Sequence, residues 1–298
     1  MAALSSSTPP ERCRVTAAAA GIVTIGGGPA VRRMGFGAMR LAGPRVWGMP
    51  ADPEAAVRVL QEAVALGVDF IDTADCYGPG VGEHLIATAL HPYPPGLVVA
   101  TKAGFVRPSP DRWKPDARPE HIRAACEQSL RRLRLEALPL YQLHCEDPAV
   151  PLEESLGAMV DLQSAGKVRR IGVSNMDADQ LRRARRVAPV ASVQNRYNLA
   201  DRTSDEVLAT CEHEGIVFVA WSPLGLGTLA APDPVMDAVA RRHGATPAQV
   251  ALAWLLGRSP AVLVIPGTTR TDHLRANVAA SGLKLGPDDV AELERLRA

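Results

Sequence analysis

The chain has 298 residues, 47% hydrophobic and 22% charged, with a net charge of +1. So even a balance gives no electrostatic basis for binding nucleic acid or an acidic membrane surface, and no apolar run approaches the roughly 20 residues that span a bilayer. The expectation is a soluble globular protein; nothing in the composition speaks to its oligomeric state. Five cysteines (Cys13, Cys76, Cys126, Cys145, Cys211) are widely spaced, odd in number and free of any C-x-x-C pair. That argues against a disulfide framework or a zinc knuckle and for a reducing cytoplasm.

In chain order, residues 1–20 are rich in Ala, Ser and Pro, and Arg12 and Arg14 interrupt the apolar core a signal peptide would need. A flexible tail is expected there, with a short transit peptide as the alternative, and a single domain over 21–298. Val23 to Arg33 reads as a hairpin turning at Gly26-Gly27-Gly28-Pro29. Short apolar runs follow at Met34 to Ala38, Val68 to Ile71, Leu97 to Thr101, Leu140 to His144, Val168 to Ser174, Ser192 to Gln194, Ile216 to Trp221 and Val262 to Ile265. Near-continuous apolar runs are what strands look like when crossover helices bury both of their faces.

The intervals carry helix punctuation. Asp52-Pro53 caps one helix, with Ala56, Val57, Leu60 and Val64 on a common face and Gly67 as its stop. Pro119 opens another, and Thr246 to Gln249 fits a capping box. An extra helix is expected over Val235 to Arg242 and a final one over Asp288 to Leu296. Eight strands alternating with helices admit a closed (β/α)8 barrel or an open doubly wound sheet. The doubly wound dinucleotide fold would want G-x-G-x-x-G after its first strand; Gly35-Phe36-Gly37-Ala38-Met39-Arg40 lacks the third glycine. The expectation is therefore an α/β fold of the (β/α)8 TIM-barrel class, its floor plugged by the N-terminal hairpin.

In such a barrel function sits at the C-terminal ends of the strands. Those ends read Asp72, Lys102, His144, Ser174-Asn175, Gln194-Asn195, Trp221-Ser222 and Thr268. Singly, each has a bland reading: a turn cap, a solvated charge, a structural histidine, a core tryptophan. Polar residues at consecutive strand ends are harder to read that way.

From Ile25 to Ala280 the chain resembles the aldo-keto reductase superfamily. The resemblance rests on Gly67-Val68-Asp69-Phe70-Ile71-Asp72-Thr73-Ala74-Asp75-Cys76-Tyr77, Lys102 in VVATKAG, and His144 in LYQLHCEDP. Ile171 to Asn175, Gln194-Asn195 and Val264 to Thr268 follow in order. It implies a catalytic tetrad of Asp72, Tyr77, Lys102 and His144. The chemistry suits these residue types. Hydride addition to a carbonyl carbon leaves negative charge on oxygen, which a positioned donor must stabilise or protonate. Lys102 would make the Tyr77 hydroxyl more acidic, Asp72 would orient Lys102 and keep it charged, and His144 would hold the carbonyl oxygen.

No side chain supplies a hydride, so a cofactor must, and the resemblance implies a nicotinamide. By resemblance, Ser174, Asn175 and Gln194 would hold the carboxamide, Trp221 would stack on the ring, and Ser222, Leu224 and Gly225 would lie over the pyrophosphate. Thr268, Arg270, His273 and Asn277, at a helix N-terminus, would bind the 2′-phosphate and so favour NADPH. His273 stands where many relatives carry arginine, which leaves NADH open as the alternative. Arg40, Trp47, Phe105 and Trp113 are expected to wall the substrate pocket, the last two from a long loop over Gly104 to Arg118. The chain looks closest to the bacterial branch that includes pyridoxal reductases, which makes pyridoxal a candidate among small aldehydes and ketones. Two other readings compete: an aldolase using Lys102 as a Schiff-base lysine, which a neighbouring Asp72 argues against by raising its pKa, and a cofactor-bound sensor or interaction subunit. Cys76 and Cys145, beside Tyr77 and His144, raise a metal or redox role at the catalytic mouth; strand alternation turns Cys145 away from the pocket, and no metal is expected.

Overall fold

The computed structural model describes residues 15–296, so residues 1–14 of the expected tail, Cys13 among them, lie outside the described residues. The tail does not reach Ala20. Ala17–Ala20 form a 3-10 turn with Ala17 and Ala20 buried, and the Ala17 N–H donates to the Leu66 carbonyl at 3.0 Å. Small side chains let this segment lie flat against the barrel, and hydrogen bonds such as that to Leu66 help satisfy the backbone it buries.

Strands β1 (Ile22–Thr24) and β2 (Ala30–Arg32) pair antiparallel across the glycine turn. Gly26 and Gly27 take φ of 52° and 65°, a region glycine enters without strain. Val23, Ile25 and Val31 point up into an apolar cluster inside the barrel. The hairpin closes the floor, as its position in the sequence predicts.

The barrel follows: β3 (Phe36–Gly37), α1 (Pro53–Ala65), β4 (Phe70–Asp72), α2 (Val81–Leu90) and β5 (Val98–Ala103). Here the chain departs from the expected loop. Residues over Gly104 to Arg118 form an antiparallel hairpin of β6 (Phe105–Ser109) and β7 (Arg112–Pro115). The barrel resumes with α3 (Pro119–Leu133), β8 (Leu140–Leu143), α4 (Leu152–Ser164), β9 (Ile171–Ser174), α5 (Ala178–Val187), β10 (Val190–Arg196), α6 (Asp205–Glu214) and β11 (Val217–Trp221). The extra helix α7 (Pro234–Arg242) precedes α8 (Pro247–Arg258), β12 (Val262–Val264), α9 (Thr271–Ala279) and α10 (Pro287–Leu293). The last helix ends three residues short of the expected Leu296.

The capping chemistry is the one the sequence dictates. The Asp52 side chain accepts from the Ala55 N–H at 2.8 Å, with Pro53 opening α1. Thr246 and Gln249 cap each other at the start of α8. Among the described residues no helix is long and apolar enough to cross a membrane.

Eight parallel strands run β3-β4-β5-β8-β9-β10-β11-β12. The ring closes where Met34 bridges Val264, with the Gly35 N–H on the Val264 carbonyl at 2.8 Å and the Val264 N–H on the Arg33 carbonyl at 2.9 Å. The expected first strand is thus shorter in its ladder, since Ala38 already begins a 3-10 turn. Closure needs glycine: a Cβ on Gly37 would stand 2.7 Å from the Ile265 carbonyl oxygen, and one on Gly267 2.5 Å from that of Gly37.

Period-two alternation then decides which side chains see the interior. Phe70, Val98, Ala100, Leu140, Val217, Val219 and Leu263 fill the barrel. One pleat further along the same strands, toward their C-terminal ends, stand Asp72, Lys102, Gln142, His144 and Trp221. Alternate residues such as Ile71, Val99, Tyr141 and Phe218 face the helices. The polar set therefore shares one end of one pleated surface.

Candidate active site

That end opens into a cavity of about 800 Å³ lined by Asp72, Tyr77, His144, Ser174, Asn175, Gln194 and Trp221, then by Ser222, Leu224, Thr268, His273 and Asn277. Arg40, Phe105 and Trp113 line it from the outer side. Most of the residues singled out in the sequence meet on this one wall.

At its base Lys102 is wholly buried. Its Nζ donates to Asp72 Oδ2 at 2.7 Å and to the Thr73 carbonyl at 2.8 Å. Asp72 Oδ1 accepts from Gln194 Nε2 at 2.7 Å and Gln142 Nε2 at 3.2 Å. A buried ion pair stands only when its remaining lone pairs are satisfied, and the two glutamines do that. Gln142 is absent from the expected site, yet period two places it beside His144, and a glutamine inside the apolar run LYQL signals an inward polar contact.

The Lys102–Tyr77 relation differs from expectation. Lys102 Nζ lies 5.2 Å from the centroid of the Tyr77 ring, with its hydrogen bonds directed to Asp72 and Thr73. Burial first, then the negative charge of Asp72, pushes the Tyr77 hydroxyl well above the usual tyrosine range. The resting hydroxyl is held protonated rather than made acidic. Burial, with Lys102 behind it, likewise pushes His144 well below the usual histidine range, so its ring is neutral. Phe105 and Tyr77 meet that ring edge-on, at 4.9 and 5.9 Å between centroids.

The burial of Lys102 removes the aldolase reading: a Schiff-base lysine must reach a substrate carbonyl, and this one lies behind the cavity wall with two partners.

Side chains on the next strands cross-brace one another. Ser174 Oγ donates to the Gln194 carbonyl at 2.8 Å, Asn175 Nδ2 to the His144 carbonyl at 3.0 Å, and Trp221 Nε1 to Asn175 Oδ1 at 2.9 Å. Asn175 and Ser222 hold left-handed φ of 57° and 53°, strain of a kind that collects at functional sites. Asn195 turns away and ties down the Met176 backbone, its Nδ2 donating to the Met176 carbonyl at 2.7 Å. A buried Asn198, missed in the sequence, donates to the Ser222 carbonyl at 3.0 Å and fixes the loop after β11.

Besides Lys102, three expected site residues stand off the cavity wall. Gly225 is buried beneath the loop, where a Cβ would lie 2.4 Å from Thr228 Oγ1; it shapes the turn. Arg270 is exposed and paired with Asp272, its Nε at 3.0 Å from Oδ1, so its guanidinium is already engaged. Trp47 flanks Arg107, whose guanidinium lies 5.6 Å from the Trp47 ring and 3.8 Å from Trp113. It supports the wall from behind. Cys145 also faces away, donating to the Gly104 carbonyl at 3.3 Å.

Comparison with known proteins places the chain in a family. Residues 33–298 match the model of the aldo/keto reductase family. The chain is 42% identical over 280 residues to an uncharacterized oxidoreductase of Schizosaccharomyces pombe, covering 94% of this chain and 91% of that protein. It is also 42% identical over 274 residues to pyridoxine 4-dehydrogenase of Escherichia coli, covering 90% and 96%. Among solved structures it superposes on the thermostable aldo-keto reductase Tm1743 with a TM-score of 0.82 at 32% identity, covering 92% and 99% of the two chains. An aldo-keto reductase from Klebsiella pneumoniae in complex with NADPH gives 0.80 at 30% identity, covering 92% and 94%. A (β/α)8 barrel with this strand-end constellation defines the class, that of barrel oxidoreductases. The chain belongs to the aldo/keto reductase family.

Proposed function

We propose that the protein reduces small aldehydes and ketones to alcohols with NADPH, Tyr77 giving the proton. The observation that carries this reading is the convergence of Asp72, Tyr77 and His144 on one end of the cavity, with Lys102 directly behind them. The cavity fits a dinucleotide. From Trp221 and Asn175 it runs past the Ser222–Leu224 turn to Thr268, just ahead of α9, and to His273 and Asn277 in the first two turns of that helix, near an N-terminus suited to phosphate. The NADPH complex of the Klebsiella pneumoniae relative supports the same choice.

Bound NADPH supplies the hydride; the chain's own residues manage the oxygen. His144, neutral, donates to the carbonyl oxygen and orients it. Tyr77, protonated at rest, releases its proton as charge grows on that oxygen. The phenolate so formed meets Lys102, and Asp72 with its two glutamines keeps the ammonium in place. Small carbonyl compounds suit the site, and likeness to pyridoxine 4-dehydrogenase favours the pyridoxal–pyridoxine pair among them. The described cysteines, all free and buried, support a reducing compartment such as the cytoplasm.

The test is NADPH oxidation with a panel of aldehydes that includes pyridoxal. Tyr77→Phe should lower kcat about a thousandfold, within the range of general acid catalysis, while NADPH affinity read by tryptophan fluorescence stays unchanged. Retained turnover would remove Tyr77 from the role; tight NADPH binding with no turnover of any aldehyde would favour the sensor reading.

A further inference from the structure

A neutral imidazole carries one proton on either of two nitrogens, and only the nitrogen that carries it can donate. If His144 is to present a donor to a carbonyl oxygen, something must choose the tautomer. The His144 backbone is occupied, its N–H on the Ala103 carbonyl at 2.8 Å and its carbonyl accepting from Asn175. On the ring, Nδ1 lies 3.7 Å from Cys76 Sγ, within reach of a thiol hydrogen bond. Cys76 is 3% exposed and His144 7%, so this contact is shielded from water. Phe105 and Tyr77 clamp the ring at its edges and limit its rotation.

We propose that Cys76 is a positioning residue: its S–H donates to His144 Nδ1 and thereby fixes the proton on Nε2, the nitrogen left to donate to the substrate oxygen. The protonation states of the two groups permit this direction. Burial, reinforced by the neighbouring Asp75, holds the Cys76 thiol well above its usual range, so it keeps its proton; the neutral ring of His144 supplies the acceptor. A thiol is a weak donor, but burial of both groups weakens the competition from water. The roles assigned to the ring rest on the carbonyl-reductase reading; the tautomer itself does not.

The experiment is a long-range ¹H–¹⁵N spectrum of the full chain labelled with [¹⁵N]histidine, His144 being assigned by its loss in His144→Gln. The wild type should show His144 protonated at Nε2 alone. Cys76→Ala should give exchange between the two tautomers and a several-fold fall in kcat for 4-nitrobenzaldehyde, with the Kd for NADPH unchanged. Cys76→Ser, which restores an O–H donor, should recover both the single tautomer and the rate. A proton on Nδ1 in the wild type, or an unaltered His144 spectrum in Cys76→Ala, would overturn the proposal. A protein that reduces no aldehyde would defeat the functional reading alone, since the ring spectrum still reads the tautomer.

Discussion

Asp75 sits one residue from Cys76 and two from Tyr77, and its chemistry is unlike theirs. Its Oδ1 is buried without a partner. Burial first, then the charge of Glu83, raises its carboxyl to about 8, against a partial opposing pull from Arg132 and Lys102. A carboxyl whose folded pKa lies above its unfolded value binds more protons when folded, so stability falls as pH rises between the two. The window here runs from about 4, the unfolded value, to about 8. Asp75→Asn should flatten the decline of Tm between pH 5 and pH 8 and raise Tm at the upper end. An unchanged pH slope would show that another group sets it. At this scale the sequence is partly legible. Asp72, Tyr77, Lys102 and His144 stand out because the chemistry needs their types. Asp75 and Gln142 do not, because their importance comes from what encloses them. Arg270 shows the same limit: a guanidinium near a helix start suggests phosphate, and the structure pairs it with an aspartate two residues on, which the sequence reading does not anticipate.

At the scale of elements, the β6–β7 hairpin carries two aromatic residues to the cavity, and one arginine bolts it down. Arg107 donates to the carbonyls of Val46 and Arg45, both at 3.0 Å, and its guanidinium stacks on Trp113. Such a fork, with a planar face for the ring, is not reproduced by lysine. Arg107→Ala and Arg107→Lys should both raise the aldehyde KM several-fold while leaving the Kd for NADPH unaltered, since the residues proposed to hold the cofactor lie on other strands. Equal loss in both constants would mean the hairpin supports the whole mouth. The sequence reads the strands and helices of the barrel well here, because apolar runs and caps are local signals. It reads this hairpin as a loop because Arg107, Pro108 and Pro110 break any strand alternation, and the pairing is set by contacts with residues 45–47 far back in the chain.

For the molecule as a whole, closure of the barrel depends on two glycine backbones passing at the cavity rim. A methyl group at Gly267 would meet the Gly37 carbonyl oxygen at 2.5 Å, a backbone atom of a residue whose own N–H is tied to the Pro266 carbonyl at 3.3 Å. Gly267→Ala should cost about 1–3 kcal/mol, the usual toll of overpacking, and should weaken NADPH binding too, since Gly267 lines the cavity beside Thr268. Urea unfolding and a binding titration on the same variant check both effects. A change in neither would mean the rim yields more easily than its geometry suggests. The glycines are visible in the sequence, but the meeting of position 37 with position 267 is not, since nothing local links them.

That meeting also has a consequence for how the chain comes off the ribosome. The first barrel strand finds one neighbour in β4 early, but its other edge waits for Val264, so the ring stays open until nearly all of the chain has been made. During that interval β3 and β11 present unpaired backbone to other chains, the kind of edge on which sheets aggregate. Slowing translation late in the message should prolong that exposure and lower the soluble yield.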